Sequence, residues 1–350
     1  MLKFIPRTFR AGLLIGVAIA AAVAAGAIAY ERYDTQTLKR TVRRDALLCG
    51  VNADLPGFST VDGKGQWQGF DVDFCRAIAA AIFNDPNKVK YIPLDANERF
   101  SELSKRKVDV LLRNSTWSMS RETDYALHFA AVSFYDGQGF MVPRSRNVSS
   151  ALELDGSKLC VQANTTSVPN AADYFRVNNM KYQEMRQTKA EDVRNAYNTG
   201  QCNVWTADVS RLYAERLKLS KPDDHVILAD VISKEPLAPV VRQKDDDWLL
   251  IVKWAIYAMV VAEELGINSK NIDEAMKSDK PEIKRFVGTE GAYGEQLGLS
   301  KDWAARIIRH VGNYAEVYDR NVGVGSPLGI PRGLNQLWSE GGIQYAPPIR

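Results

Sequence analysis

Hydrophobic positions along the chain fall into short apolar runs alternating with stretches of helical spacing. Leu47 to Val51 is a short apolar run, and from Asp71 to Phe83 the apolar residues Phe74, Ile78, Ala81 and Ile82 recur at the period of one helix face. Val89 to Leu94 reads as a strand, Asn97 to Lys105 as a helix, and Val108 to Leu112, rich in β-branched residues and leucine, as a buried strand. This strand–helix–strand–helix–strand order predicts parallel strands joined by right-handed crossovers.

The same order begins again further on. Leu159 to Gln162, Lys181 to Met185 and Asn203 to Thr206 read as strands, with helices over Val168 to Asn178, Ala190 to Asn198 and Asp208 to Leu217. Ser133 to Pro143 and Pro236 to Arg242 look extended, and Pro236 and Pro239 keep the second of these out of a helix. The pattern therefore predicts two similar α/β units, each a parallel-type sheet with helices on both faces, joined by two crossings. One lobe takes residues 30–142 and 238–350 and the other residues 143–237. The apolar stretch from Asp246 to Leu265 reads as a helix packing back on the first lobe, followed by further helical patterns such as Trp303 to Val311. The region beyond Gly266 receives no role except to thicken that lobe.

The N-terminus changes the picture of where this protein works. Lys3, Arg7 and Arg10 precede an uncharged run from Ala11 to Ala29 that closes on Ala27-Ile28-Ala29, the pattern of a signal peptide cleaved after Ala29. An uncleaved N-terminal anchor is the other reading of residues 1–29. Trp248 to Ala262 is too short to cross a bilayer. Of 45 Lys and Arg against 42 Asp and Glu, the signal takes three basic residues, so the mature chain is close to neutral and has no basic footprint for nucleic acid. Four cysteines in an exported chain point to disulfides, and four allow three pairings. One bridge within each lobe, Cys49–Cys75 and Cys160–Cys202, is the simplest arrangement; four buried free thiols are the alternative.

Candidate chemistry collects where strands end. The Val108 to Leu112 run changes abruptly into Arg113-Asn114-Ser115-Thr116-Trp117-Ser118-Met119-Ser120-Arg121. Asn164-Thr165-Thr166 follows the first strand of the second unit, and Asp208 follows its third. In open α/β sheets ligands bind outside the C-terminal ends of strands, so these clusters face one crevice. Arg121 offers a planar fork for a carboxylate, aided by the hydroxyls of Thr116 and Ser118 and by the amides of Thr165 and Thr166 at a helix start. Asp208 can take an ammonium, shared with Asn114. A free α-amino acid carries both groups on one carbon. Asp208, Thr165 and Thr166 can equally be helix caps, and Phe58 is either a ligand wall or core. Gly323-Val324-Gly325-Ser326 lacks the lysine and the preceding strand of a phosphate loop.

Val51-Asn52 with Pro56-Gly57-Phe58, Gly69-Phe70-Asp71-Val72-Asp73, Val108-Asp109-Val110 with Thr116 and Arg121, and Val161-Gln162 with Thr165-Thr166 resemble, in that order, the polar amino-acid family of periplasmic solute-binding proteins. Arg113-Asn114-Ser115-Thr116-Trp117, Tyr135 to Val142, Gly288-Thr289-Glu290-Gly291 and the tail Gln344 to Pro348 extend the likeness to its general L-amino-acid-binding members, which serve bacterial ABC transporters. The resemblance implies a type II two-lobe fold closing about a hinge, with Arg121 on the ligand carboxylate and Asp208 on its amine. Asn164 and Leu55 depart from it: many relatives have glycine and an aromatic there.

The expected function is capture of L-amino acids in the periplasm, with broad side-chain specificity, and delivery to an inner-membrane ABC permease by a monomer without cofactor or metal. A membrane-tethered amino-acid sensor and a periplasmic dehydratase on the same fold are the rival classes. His128, His225 and His310 have no metal-ligand spacing, and no nucleophile elbow is present, so no catalytic residue is assigned.

Overall fold

The computed structural model describes residues 36–350, so the segment read as a signal peptide lies outside the described residues. The chain opens with the helix Thr37–Arg44 and strand β1 (Leu47–Val51), then a small hairpin of β2 (Thr60–Val61) and β3 (Trp67–Gln68) that the apolar pattern did not predict. The helix Phe70–Phe83 follows, then β4 (Val89–Pro93), the helix Arg99–Ser104, β5 (Val110–Leu111), the helix Met119–Tyr125 and β6 (Leu127–Phe129). After β7 (Phe134–Asp136), the second unit contains β8 (Gln138–Pro143), β9 (Ser157–Gln162), β10 (Tyr182–Gln187), β11 (Val204–Asp208) and β12 (His225–Ile227), with helices Ser167–Val177, Ala190–Asn198 and Val209–Arg216. Strands β13 (Glu235–Leu237) and β14 (Val240–Arg242) return to the first unit.

Each unit is built on a five-stranded sheet, in the orders β4-β1-β5-β14-β6 and β10-β9-β11-β8-β12. Three strands of each run parallel, as expected, but the sheets are mixed: β14 is antiparallel to β5 and β6, and β8 to β11 and β12. The reason is geometric. The parallel strands point their C-terminal ends at the cleft, so a strand entering from the crossing must run the other way. The crossing itself is the two-stranded pairing of β7 with β13, in which Asp136 lies opposite Glu235. Residues 138–142 therefore belong to the second sheet, and the boundary expected at 142/143 moves back to Gly137.

Strand alternation supplies each sheet with two apolar faces. Val110 and Leu112 face the helix Phe70–Phe83 and the long helix Asp246–Glu264, while Leu111 faces Phe100 and Leu103 on the other side. The helix Phe70–Phe83 is preceded by Gly69, which must be glycine because a Cβ there would lie 2.2 Å from the Phe58 carbonyl oxygen. The long helix starts with the side chain of Asp245 accepting from the Trp248 amide, and Asp246 and Asp247 in its first turn oppose the helix dipole. Among the described residues no helix is long and apolar enough to cross a membrane.

The region beyond Gly266 does more than thicken the first lobe. Helices Trp303–Val311 and Tyr314–Asn321 share the core with the helix Phe70–Phe83, and Tyr314 and Tyr318 join Phe58, Phe70 and Phe134 in an aromatic cluster. From this layer the Tyr314 hydroxyl donates to the Ser133 carbonyl at 2.8 Å. The side chain of Asn335 accepts from the Tyr135 amide at 2.8 Å and donates to the Tyr135 carbonyl at 3.0 Å. The C-terminal region thus fixes the first crossing where it leaves the lobe.

Both disulfides are formed in the pairing expected, one within each lobe, and all four half-cystines are buried. Cys160–Cys202 spans 42 residues, so by loop closure it stabilises its lobe by about 4 kcal/mol. Urea unfolding of the Cys160→Ser/Cys202→Ser protein is expected to show a loss of that order. An unchanged midpoint would contradict the bridge's role.

Candidate functional site

The strand ends deliver their polar residues to one cavity between the lobes, with about 480 Å³ of space among its atoms, part of it open to solvent. The first lobe contributes Asn114, Thr116 and Arg121, the second Thr165, Thr166 and Asp208, so six of the eight residues expected at the ligand meet there. Phe58 and Ser118 do not line it. Phe58 is 1 % exposed and packs edge-on against Phe70 and Phe134, making it core, and the Ser118 hydroxyl faces Ser120 at 3.3 Å.

The alternative of simple helix caps fails at each position. Asp208 precedes the helix Val209–Arg216 but its side chain accepts no capping bond, and neither does that of Thr166 before the helix Ser167–Val177. The Thr165 hydroxyl donates to the Gln162 carbonyl at 2.7 Å. Asn164 has φ of 58°, a left-handed conformation that asparagine tolerates better than most side chains. Asn114 is likewise at positive φ, 38°; its amide donates to Asp71 Oδ2 at 3.1 Å and its side-chain oxygen accepts from Asn52 at 3.2 Å. Arg121 is fixed by donating to the Thr116 carbonyl at 2.7 Å and lies over the Phe100 ring.

Glu235, which the sequence did not single out, joins the lobes. It sits on β13 in the crossing, 1 % exposed. Its carboxylate accepts from Thr116 at 2.6 Å on the first lobe, from Thr166 at 2.9 Å and Asn170 at 2.7 Å on the second, and from Ser233 at 2.6 Å. Its sequence context, Ser233-Lys234-Glu235-Pro236, reads as a solvated turn, so nothing along the chain reveals its burial. A second tie between lobes is the ion pair of Lys218 with Asp54 at 2.5 Å.

Three further arginines, Arg99, Arg113 and Arg211, also line the cavity and were missed. Arg211 stands three residues after Asp208, in the first turn of the helix Val209–Arg216, a spacing that could have revealed it. Charge is thus distributed unevenly. Burial, reinforced by Asp136 and Glu235, pushes the Asp208 carboxyl well above the usual range, while Arg211 and Arg121 oppose the rise. Asp136 is raised to about 6, chiefly by burial, against hydrogen bonds from Ser210 and Gly137. Burial lowers the Arg121 guanidinium, and Asp208 and Glu235 act in the other direction. The cavity therefore has a carboxylate corner at Asp208, with Asp136 close behind it, and a guanidinium wall beside it. Among the described residues no cluster of His, Cys, Asp and Glu is suited to a metal ion.

Residues 47–271 match the family described as bacterial extracellular solute-binding proteins, family 3. The chain belongs to that family. It is 52% identical over 339 residues to the general L-amino acid-binding periplasmic protein AapJ of Rhizobium johnstonii, covering 96% of this chain and 99% of the relative. It is 48% identical to the glutamate/glutamine/aspartate/asparagine-binding protein BztA of Rhodobacter capsulatus, over 95% of this chain and 97% of that one. Among solved structures, a periplasmic binding protein of Brucella ovis with glutathione bound is 50% identical, with a TM-score of 0.89 over 90% of this chain and 99% of its own. The family is one of extracellular solute-binding proteins, in agreement with the two-lobe type II fold expected from the sequence.

Burial raises the Asp71 carboxyl beneath Asn114 to about 7 from 3.8, against the Asn114 hydrogen bond and the charge of Arg113. The folded protein then keeps a proton that the unfolded chain has released, so this carboxyl makes stability fall as pH rises from about 4 to about 7. Asp71→Asn keeps an acceptor for the Asn114 amide and is expected to flatten that decline in urea midpoints, gaining more at about pH 8 than at about pH 4.5. An identical pH slope in both proteins would contradict it.

Proposed function

We propose that this chain is the periplasmic substrate-binding component of an amino-acid ABC transporter, capturing free L-amino acids between its lobes and presenting them to an inner-membrane permease. The observation that carries this reading is the meeting of Arg121, from the first lobe, with Asp208, from the second, at one buried cavity. Arg121, held in place by the Thr116 carbonyl, grips the α-carboxylate, helped by the amides at Thr165 and Thr166 where a helix begins. Asp208, with Asn114 beside it, holds the α-ammonium. The ammonium brings Asp208 the countercharge that its neighbours Asp136 and Glu235 deny it, so ligand and carboxylate ionise together.

Because each lobe holds part of the site, ligand contacts are complete only when the lobes are together, and a ligand draws the population toward that state. The chain acts by binding, as a monomer, and performs no reaction. The relatives AapJ and BztA are named for binding amino acids, and the Brucella ovis structure holds a peptide with a free α-amino acid end, which supports recognition of that end of a ligand.

Calorimetric titration of ligand-free mature protein with L-amino acids, one D-enantiomer and an α-keto acid tests this. Tight binding of L-amino acids is expected, with Arg121→Ala and Asp208→Ala each losing roughly 3 kcal/mol or more, because each leaves a buried charge unpaired. Binding of the keto acid in preference to amino acids would overturn the reading.

A further inference from the structure

The guanidinium wall exceeds what one α-carboxylate requires. Arg121 alone serves that group, yet Arg99, Arg113 and Arg211 line the same cavity, all buried, at 3 %, 4 % and 7 % exposure. A guanidinium has five N–H donors, and buried donors need acceptors. Among the described residues these three find few. Arg113 donates from Nε to the Leu94 carbonyl at 2.8 Å. Arg99 donates from one terminal nitrogen to the Ala96 carbonyl at 2.6 Å, and its Nε is buried without a partner. Arg211 pairs in charge with Glu215 Oε1 at 3.7 Å, beyond hydrogen-bond range, while the other oxygen of that carboxylate accepts from Arg194 at 2.9 Å. Asp71 and Asp95 lie near enough to Arg113 to offset part of its charge, but neither accepts a hydrogen bond from it.

The three also repel one another. Arg113 and Arg211 both add to the burial that lowers Arg99, and Arg211 opposes the charge on Arg113, which burial brings to about 9. Arg99 and Arg113 belong to the first lobe and Arg211 to the second, so the repulsion acts across the cleft and resists bringing the lobes together.

We infer that Arg99, Arg113 and Arg211 form a second anion subsite, which takes a carboxylate carried by the ligand beyond its α-amino acid end. The preferred ligand is then a compound with two carboxylates and one ammonium, either an acidic amino acid or a γ-glutamyl peptide. The second carboxylate accepts from each of the three guanidiniums and offsets part of the repulsion between the lobes, so it contributes to closure as well as to recognition. A neutral side chain leaves both costs in place. This rests on the amino-acid reading above and adds to it the class of side chain.

L-Glutamate and L-glutamine are nearly the same shape and differ in the charge of the distal group, so their affinity ratio isolates the subsite. Titration of the ligand-free protein in a buffer lacking multivalent anions is expected to show glutamate bound at least about 10-fold more tightly than glutamine. In Arg113→Gln and, from the opposite lobe, Arg211→Gln, that ratio is expected to fall to about 3-fold or less, while Arg113→Lys keeps more of it because the charge remains. The ratio is read within each protein, so a general loss of affinity does not imitate the effect, and the two variants stand on different lobes should one fail to fold. γ-L-Glutamylglycine distinguishes the sources: tighter binding than glutamate assigns the subsite to peptides, weaker binding to acidic amino acids. Equal affinity for glutamate and glutamine, both lost in Arg121→Ala, would overturn the second subsite and leave amino-acid capture standing. Binding of neither glutamate, glutamine nor any other amino acid would overturn the reading beneath it.

Discussion

The carboxylate of Glu235 is the constraint on which the arrangement of the two lobes depends. It is buried within the crossing, and a buried carboxylate is tolerated only when its lone pairs are filled. Here they are filled from both sides at once, by Thr116 of the first lobe and by Thr166 and Asn170 of the second. Moving the lobes apart strips donors from a group that has nowhere to turn, and this gives the closed arrangement a definite geometry. Thr116 and Thr166 also line the cavity, so the same contacts that fix the lobes aim the ligand-facing surface.

Around that anchor the fold separates charge. The carboxylates Asp208 and Asp136 lie toward the second lobe and the crossing, where burial raises both. The guanidiniums of Arg99, Arg113, Arg121 and Arg211, brought by both lobes, line the same cavity, with Arg121 and Arg211 close enough to act on Asp208. In water such a distribution would be screened within about 8–10 Å at ordinary salt, but inside the cleft screening is weak and the field is felt by whatever enters. The C-terminal region contributes at a distance: by holding Ser133 and Tyr135 through Tyr314 and Asn335, it fixes one end of the crossing.

Much of this was legible along the chain. Periodicity placed both α/β units, and the abrupt change from Leu112 to the polar run ending at Arg121 marked a strand emptying into a cleft. Six of the expected ligand residues meet in the cavity, and both cysteine pairs form as expected. What periodicity did not show was set by contacts distant in sequence. β8 and β14 run antiparallel because the chain enters each sheet from the cleft, which local pattern does not encode. Phe58 became core because Phe70, Phe134 and the remote C-terminal region surround it. Glu235 and Arg99 escaped notice, and Arg113 received no ligand role within its polar run, because a charged residue is ordinarily solvated; only the fold brings Thr116, Thr166 and Asn170 to Glu235.

The central claim is that a ligand held by residues of both lobes draws those lobes together. Small-angle X-ray scattering of ligand-free and ligand-saturated protein tests it most directly. The account predicts a smaller radius of gyration on saturation, absent in Asp208→Ala at the same ligand concentration. An identical radius with and without a ligand that calorimetry shows to be bound would contradict it.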